Sequence, residues 1–184
     1  MATIPVESTA AAGTKITASW ANSNVVDAVN FLLAAGGNPR PFASVYRSAA
    51  LSPANATFTL ISFDAEVEDN DYMHDNSTNP SRVTLWNDGI WQVTYGIAFA
   101  SSATGRRIGQ VRSNAGGLSG GGTFQQQFNV ATSPSGTFAH QGIFAARFIA
   151  GDYLELFVEQ QSGGALAIQT GAGFNFLSAM WLSS

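Results

Sequence analysis

Half of the chain's twelve acids fall in one segment: Asp64, Glu66, Glu68, Asp69, Asp71 and Asp75. His74, Asn70, Asn76 and Asn79 lie among them. Oxygen ligands this dense suit calcium. The spacing is not that of an EF-hand loop, because the fixed glycine and the terminal glutamate are missing. The acids read first as solvated or backbone-capping groups, with a bound cation and pairing to Arg82, Arg106 or Arg107 as alternatives. No metal site is assigned. His74 beside Asp75 is an acid–base pair by adjacency alone, and His140 is the only other histidine. No zinc-binding histidine pair occurs. Paired carboxylates can hydrolyse glycosides, but these acids occupy one apparent loop without aromatic subsite spacing. Gly116-Gly117-Leu118-Ser119-Gly120-Gly121-Gly122 is rich in glycine. It lacks the lysine and following helix of a phosphate cradle, so it reads as a flexible loop between strands. Neither an enzyme nor a cofactor is expected.

The composition narrows the remaining classes. The 184 residues are 45% hydrophobic and 11% charged, with no cysteine and a net charge of −4. Disordered chains combine low hydrophobicity with high charge, and this one has neither. A nucleic-acid binder needs a basic patch, and Lys15 is the single lysine. No apolar run is long enough to cross a membrane. The first fifteen residues lack the basic and apolar regions of a secretory signal. Without cysteine there is no disulfide framework, and the redox compartment stays open. So few charges on so apolar a chain suggest surface hidden in an oligomer or a larger assembly.

Two regions are expected: 1–41, an arm with a helix and a linker, and 42–184, an all-β domain. Residues 1–15 are small, polar and extended in this reading. Val25, Val26, Val29, Leu32 and Leu33 recur at helical spacing after a cap at Asn22 or Ser23, and Gly36-Gly37 stops the helix. A helix of about three turns is marginal alone, so its apolar stripe must pack on something. That partner is either its own domain or a larger body to which Trp20, Val25, Val29, Leu32 and Leu33 anchor the protein. Pro39 and Pro41 stiffen the joint.

From Phe42 the period changes. Strands are predicted near 43–51, 56–63, 82–86, 90–101, 105–113, 123–130, 137–149, 153–160 and 173–183, with a short one at 165–169. With no helix between them, these form an antiparallel β-sandwich or barrel. In 153–159 the residues Leu154, Leu156 and Val158 alternate with Tyr153, Glu155, Phe157 and Glu159, giving one dry face and one wet face. Other strands are apolar or uncharged on both faces. In 90–99, Trp91, Val93, Tyr95, Ile97 and Phe99 share one face, while Ile90, Gln92, Thr94, Gly96 and Ala98 share the other. Strands 143–149 and 174–182 behave alike. A strand dry on both sides needs two apolar layers, and a single sandwich supplies one. The second must come from another chain, because large bare apolar patches are rare on monomers. Trp91, Tyr95, Phe144, Phe148, Phe174, Phe176 and Trp181 are the candidate interface residues.

Asp88-Gly89-Ile90-Trp91-Gln92-Val93 resembles a strand of the tumour-necrosis-factor-like jelly roll found in complement globular heads. Ala150-Gly151-Asp152-Tyr153-Leu154-Glu155-Leu156 resembles the turn entering that family's next-to-last strand, and Gly173-Phe174-Asn175-Phe176 its last strand. The resemblance implies a homotrimer packed through the sheet formed by 43–51, 90–101, 137–149 and 173–183. A second resemblance spans nearly the whole chain. Ile16-Thr17-Ala18, Asn22, Asp27-Ala28-Val29-Asn30-Phe31-Leu32, Phe63-Asp64-Ala65-Glu66, the stretch Asp69 to Asp75 and Thr104-Gly105-Arg106-Arg107 are similar, in this order, to minor tail proteins of tailed bacteriophages of actinobacteria. It implies a structural protein of the virion surface.

The expected protein is thus an antiparallel jelly-roll β-sandwich with a short N-terminal helix and extended arm. It forms a homotrimer fastened by residues 1–40 to other virion proteins. As a minor tail component it would meet the host envelope, with a cell-surface glycan as partner and loops 64–80 and 114–122 foremost. As a capsid decoration protein it would sit at three-fold-related positions. A free carbohydrate-binding lectin is the third reading, and it needs a pocket that the sequence does not locate. Neither nucleic acid nor membrane insertion enters any of these readings.

Overall fold

The computed structural model describes residues 15–32, 40–131 and 138–184. Leu33, the arm before Lys15 and the linker as far as Pro39 lie outside them. The chain divides into two units, Met1–Pro41 and Phe42–Ser184.

In the first unit one helix runs through Ala18–Ala21, a π-helical turn at Asn22–Val26, and Asp27–Leu32. It starts earlier than expected. Thr17, rather than Asn22 or Ser23, caps it, its hydroxyl accepting the Trp20 N–H at 3.2 Å. Asn22, Ser23 and Asn24 fall inside instead. Such side chains compete for backbone groups, and the Asn24 amide donates to the Trp20 carbonyl at 2.9 Å within the widened turn.

The second unit is built of ten described strands: β1 (Phe42–Tyr46), β2 (Thr59–Leu60), β3 (Ala65–Asp69), β4 (Arg82–Thr84), β5 (Gly89–Phe99), β6 (Arg106–Ser113), β7 (Thr123–Ala131), β8 (Phe138–Phe148), β9 (Tyr153–Gln160) and β10 (Phe176–Ser183). They form two antiparallel sheets. The first has the order β3-β1-β10-β5-β8. The second has the order β2-β9-β6-β7, with β4 also paired to β9. From β5 on, the chain passes repeatedly from one sheet to the other, as in Greek-key sandwiches. The core between the sheets holds Ala43, Val45, Trp91, Val93, Tyr95, Leu177 and Ala179 from the first, and Val83, Val111, Leu154, Leu156 and Val158 from the second.

Two of the motifs singled out in the sequence build one corner. The Asp88 carboxylate accepts the Ala150 N–H at 2.7 Å. Asp152 accepts the Ile149 N–H at 3.0 Å and the Asn114 amide at 2.7 Å. Gly89 has φ +139, and a Cβ there would meet the Ser183 carbonyl and the Trp181 ring nitrogen, which donates to the Asp88 carbonyl at 3.0 Å. Only glycine fits that position.

Several predicted strands are shorter than expected. The 56–63 segment contributes only β2, and 165–169 contributes a single bridge from Ile168 to Phe99. The acidic segment, expected as one loop, contains β3. It pairs with β1 at the sheet's margin, with a bulge between Ser44 and Val45. Charge on an edge strand deters further pairing, and here it also hides the alternation by which a strand is recognised.

Candidate interaction surface

Strand register sets which side chains leave the first sheet away from the core. Directly paired residues share a face, and the side alternates along each strand. Phe42 pairs with Met180, Ser44 with Ser178 and Tyr46 with Phe176. These continue to Gln92, Thr94 and Gly96 on β5, then to Ala145, Ile143 and Gln141 on β8. Every one of these from β1 and β10 is half-buried, and Ile143 is 58% exposed. The face is therefore a band of aromatic, aliphatic and uncharged polar groups. Ser44 and Ser178 share a hydrogen bond of 2.8 Å at its middle. The Phe176 ring lies across Gly96, where a Cβ would collide with it. The charges on this face stand at its two margins: Glu68, opposite Ser44 on β3, and Arg147, opposite Ile90 on β8.

On the outward face of the second sheet the chain itself covers β9 and β6, while Phe124, Gln127 and Asn129 of β7 stay exposed. Glu155 was expected on a wet face, yet it is 1% exposed. It accepts the Ser81 hydroxyl at 3.3 Å, Arg82 Nε at 3.4 Å and the Gly117 N–H at 3.0 Å. Phe157, expected beside it in water, is also buried. The glycine-rich segment explains both. It folds back over β6 and β9. Gln110 Nε2 donates to the Ser119 carbonyl at 3.3 Å, Arg112 Nε to the Gly121 carbonyl at 2.5 Å, and the Gly116 N–H to the Tyr153 hydroxyl at 3.1 Å. The segment read as a flexible loop is a tethered cover.

The same register reassigns several candidate interface residues. Trp91, Tyr95, Phe148 and Trp181 point into the sandwich, and all are buried within the single chain. A second copy could reach them only by parting the sheets. Phe144 pairs with the inward Val93 and lies half-buried on the edge strand. Phe176 stands on the outer face, and Phe174, 41% exposed, precedes β10. Sequence reasoning passed over Phe42, Tyr46, Met180, Gln92, Thr94 and Ile143. The signal for them was the second set on β5, uncharged although it faces outward. Of the proposed anchoring residues, Val25 and Val29 are about half exposed and Trp20 is half-buried. The Leu32 side chain lies outside the described residues.

Three of the acids of 64–75, Asp64, Asp69 and Asp75, hold backbone, and Glu66 holds the His74 ring. Asp64 accepts the Ser48 and Ala49 N–H groups at 2.5 and 2.9 Å. Burial pushes its carboxyl up, but these bonds outweigh it and hold the group below its ordinary value. Asp69 accepts from the N–H groups of Asp71, Met73 and His74. Asp75 accepts from Thr78 and Ser77, which hold it low as well. His74 Nδ1 meets Glu66 at 3.0 Å, and Nε2 meets the Pro80 carbonyl at 3.1 Å. Among the described residues no group of three or more histidine, aspartate or glutamate side chains is arranged for a metal ion. Tyr95 is pushed up to about 12 by burial alone. It is a core phenol rather than a reacting group.

No protein-family model and no curated protein matches this sequence. Solved structures do. The chain is similar to murine APRIL, with a TM-score of 0.60 at 10% identity, over 78% of this chain and 99% of that one. It is similar to the Eiger TNF of S. frugiperda, with a TM-score of 0.58 at 14% identity, over 79% and 95% of the two chains. It is similar also to the globular domain of zebrafish complement 1qA, with a TM-score of 0.53 at 14% identity, over 78% and 97%. The fold is a jelly roll of the tumour-necrosis-factor and complement-head kind.

Proposed function

We propose that the protein is a homotrimeric, non-enzymatic module that associates through the outer face of the β3-β1-β10-β5-β8 sheet. One observation carries this reading: the two outer faces of the sandwich differ. One is covered over β9 and β6 by a segment of the chain tied down with hydrogen bonds and is otherwise largely polar, while the other carries Phe42, Tyr46, Phe176, Met180 and Ile143 with no charge between its margins. A contiguous apolar patch of this sort marks an interaction site. A second copy is the occupant that best matches it, because the four strands that the family resemblance assigns to a trimer interface lie together in this sheet. The test is sedimentation of the full chain at micromolar concentration, with Thr94→Lys beside it. A trimer that falls to monomer when the lysine is placed at the centre of the face supports the assignment. A monomeric wild-type chain overturns it.

The place of the trimer is a virion surface, as a minor tail component or, in the second reading, a capsid decoration. The order of sequence motifs supports this, as does the separate N-terminal unit, whose Val25, Val26 and Val29 are about half exposed on its helix. That helix and the flanking arm fasten the trimer to other virion proteins. Mass spectrometry of purified particles tests the placement, and copy number separates its two forms: tens for a tail, hundreds for a capsid. Absence of the chain from particles removes both.

A further inference from the structure

A cavity of about 430 Å³ opens on the second sheet's side, apart from the bare face. Small-molecule sites span roughly 300–1,000 Å³. Arg82 and Thr84 of β4 and Tyr153 of β9 line it, and the segment Tyr72 to Asn79 and Trp86 border it. We propose that this cavity binds a neutral oligosaccharide through a pair of adjacent hydroxyl groups. The inference is independent of the trimer and gives the host-attachment reading a chemical ligand class.

The first reason is the placing of aromatic rings. Tyr72 is 82% exposed, well beyond Phe124 at 50% and Phe174 at 41%, the other exposed aromatics among the described residues. Its backbone is held at φ +54, a left-handed conformation that costs a tyrosine free energy. Two sets of bonds keep it there. Asp69 accepts from both flanking residues, Asp71 and Met73. Trp86 Nε1 donates to the Tyr72 carbonyl at 3.0 Å, which also fixes the indole at the cavity's edge. Flat rings fixed in water at the rim of a polar cavity suit the C–H face of a pyranose.

The second reason is the pairing of polar groups. The Arg82 guanidinium lies 4.2 Å over the Tyr153 ring and spends only Nε on Glu155. Among the described residues its two terminal nitrogens have no acceptor, which leaves both free to donate to water or to a ligand. Across the lining, Asp75 uses one carboxylate oxygen on Ser77 and Thr78, leaving the other to accept. A donor fork and a carboxylate are the complement of two vicinal hydroxyls, each of which donates once and accepts once.

Charge chooses a neutral sugar over an acidic one. Arg82 is the one formal cation among the lining residues apart from His74, whose ring nitrogens are engaged by Glu66 and Pro80. Glu155 already balances Arg82, and Asp75 is held ionised. An added carboxylate or sulfate would meet net repulsion.

The experiment is saturation-transfer NMR on the full chain with neutral and sialylated oligosaccharides at about 10 mM, enough to occupy a site with a Kd near 1 mM. Glycan-array screening beforehand selects the neutral set. Binding of a neutral member, with Trp86 fluorescence responding, is expected. Tyr72→Gly removes the ring and relieves the backbone, so the fold survives; affinity falls about tenfold or more, while sedimentation matches the wild type. Arg82→Lys weakens binding without loss of Tm beyond a few degrees. Silence from every neutral sugar, preference for the sialylated set, or affinity untouched in both variants would overturn the proposal. Loss of trimer alone would not, which keeps it separable from the assembly reading.

Discussion

The two outer faces of this sandwich solve one problem in different ways. Each sheet has more apolar surface than one shared core can bury. The second sheet finishes the task within the chain: Ala115 to Gly122 folds across it, and Glu155 becomes a buried anchor for Gly117, Ser81 and Arg82. Among the described residues the first sheet has no such segment. Its outer rows, from Phe42 and Tyr46 to Ile143, stay half-open in the single chain. This contrast is what the proposed association through the first sheet rests on. Dryness on both sides of a strand is thus two distinct conditions, local cover and outside cover, and a sequence shows only their sum.

The comparison breaks most sharply at Thr94. Thr94→Lys puts a charge at the middle of the bare face, where three copies would each have to desolvate it. Unpaired buried charge costs several kcal/mol, so association should be lost at micromolar concentration while the monomer's Tm changes by no more than a few degrees. Equal loss of Tm and of trimer would mean that the face is part of the monomer's own stability. The opposite pattern is expected at Glu155→Ala. It strips three donors of their shared acceptor under the tethered cover and costs about 1–3 kcal/mol of folding free energy. Denaturant unfolding reads that cost, and the trimer of the folded fraction should be unaffected.

How far the sequence carried this is visible in single strands. The grouping of strands near 43–51, 90–101, 137–149 and 173–183 into one sheet was legible only through the jelly-roll resemblance that the motifs at 88–93, 150–156 and 173–176 carry. The direction of the faces was not. On β5 the larger aromatics, Trp91 and Tyr95, fill the core, and the smaller Gln92, Thr94 and Gly96 face outward. Size argued for the interface, but a core takes the largest rings first, and an interface row needs only the absence of charge. The wet face expected on β9 failed for another reason. Its cover is made of glycines, which leave no side-chain pattern to read. The cavity went unseen because Tyr72, Asp75, Arg82, Trp86 and Tyr153 come from three separate stretches that only the pairing of β4 with β9 brings together.

Gly96→Ala sharpens the comparison by a smaller step. A Cβ at residue 96 would enter the Phe176 ring, which must then lift from the sheet. The ring sits on the solvent side in the monomer, so folding should weaken by about 1 kcal/mol or less. In a trimer the lifted ring meets the next copy, and association should weaken about tenfold. Concentration-dependent sedimentation separates the two effects. If both are equal, Phe176 packs only against its own sheet.

The smallest expected effect tests the margin of the bare sheet. Asp64, just before β3, ties down the chain leaving β1 by accepting from Ser48 and Ala49, and its carboxyl is held below the ordinary 3.8. A group bound more tightly as the carboxylate contributes stability above its unfolded value and loses it as pH falls through the folded one. Asp64→Asn keeps an acceptor but no charge. At an exposed position solvent screens the difference, so the cost at pH 7 should be under about 1 kcal/mol. The two proteins should converge in Tm as pH falls from 3.8 through the lowered folded value of Asp64, where the native carboxyl becomes neutral as well. A gap of constant size from pH 7 to pH 2.5 would show that shape, not charge, holds this margin. The edge strand would then owe its place to the β1 ladder alone.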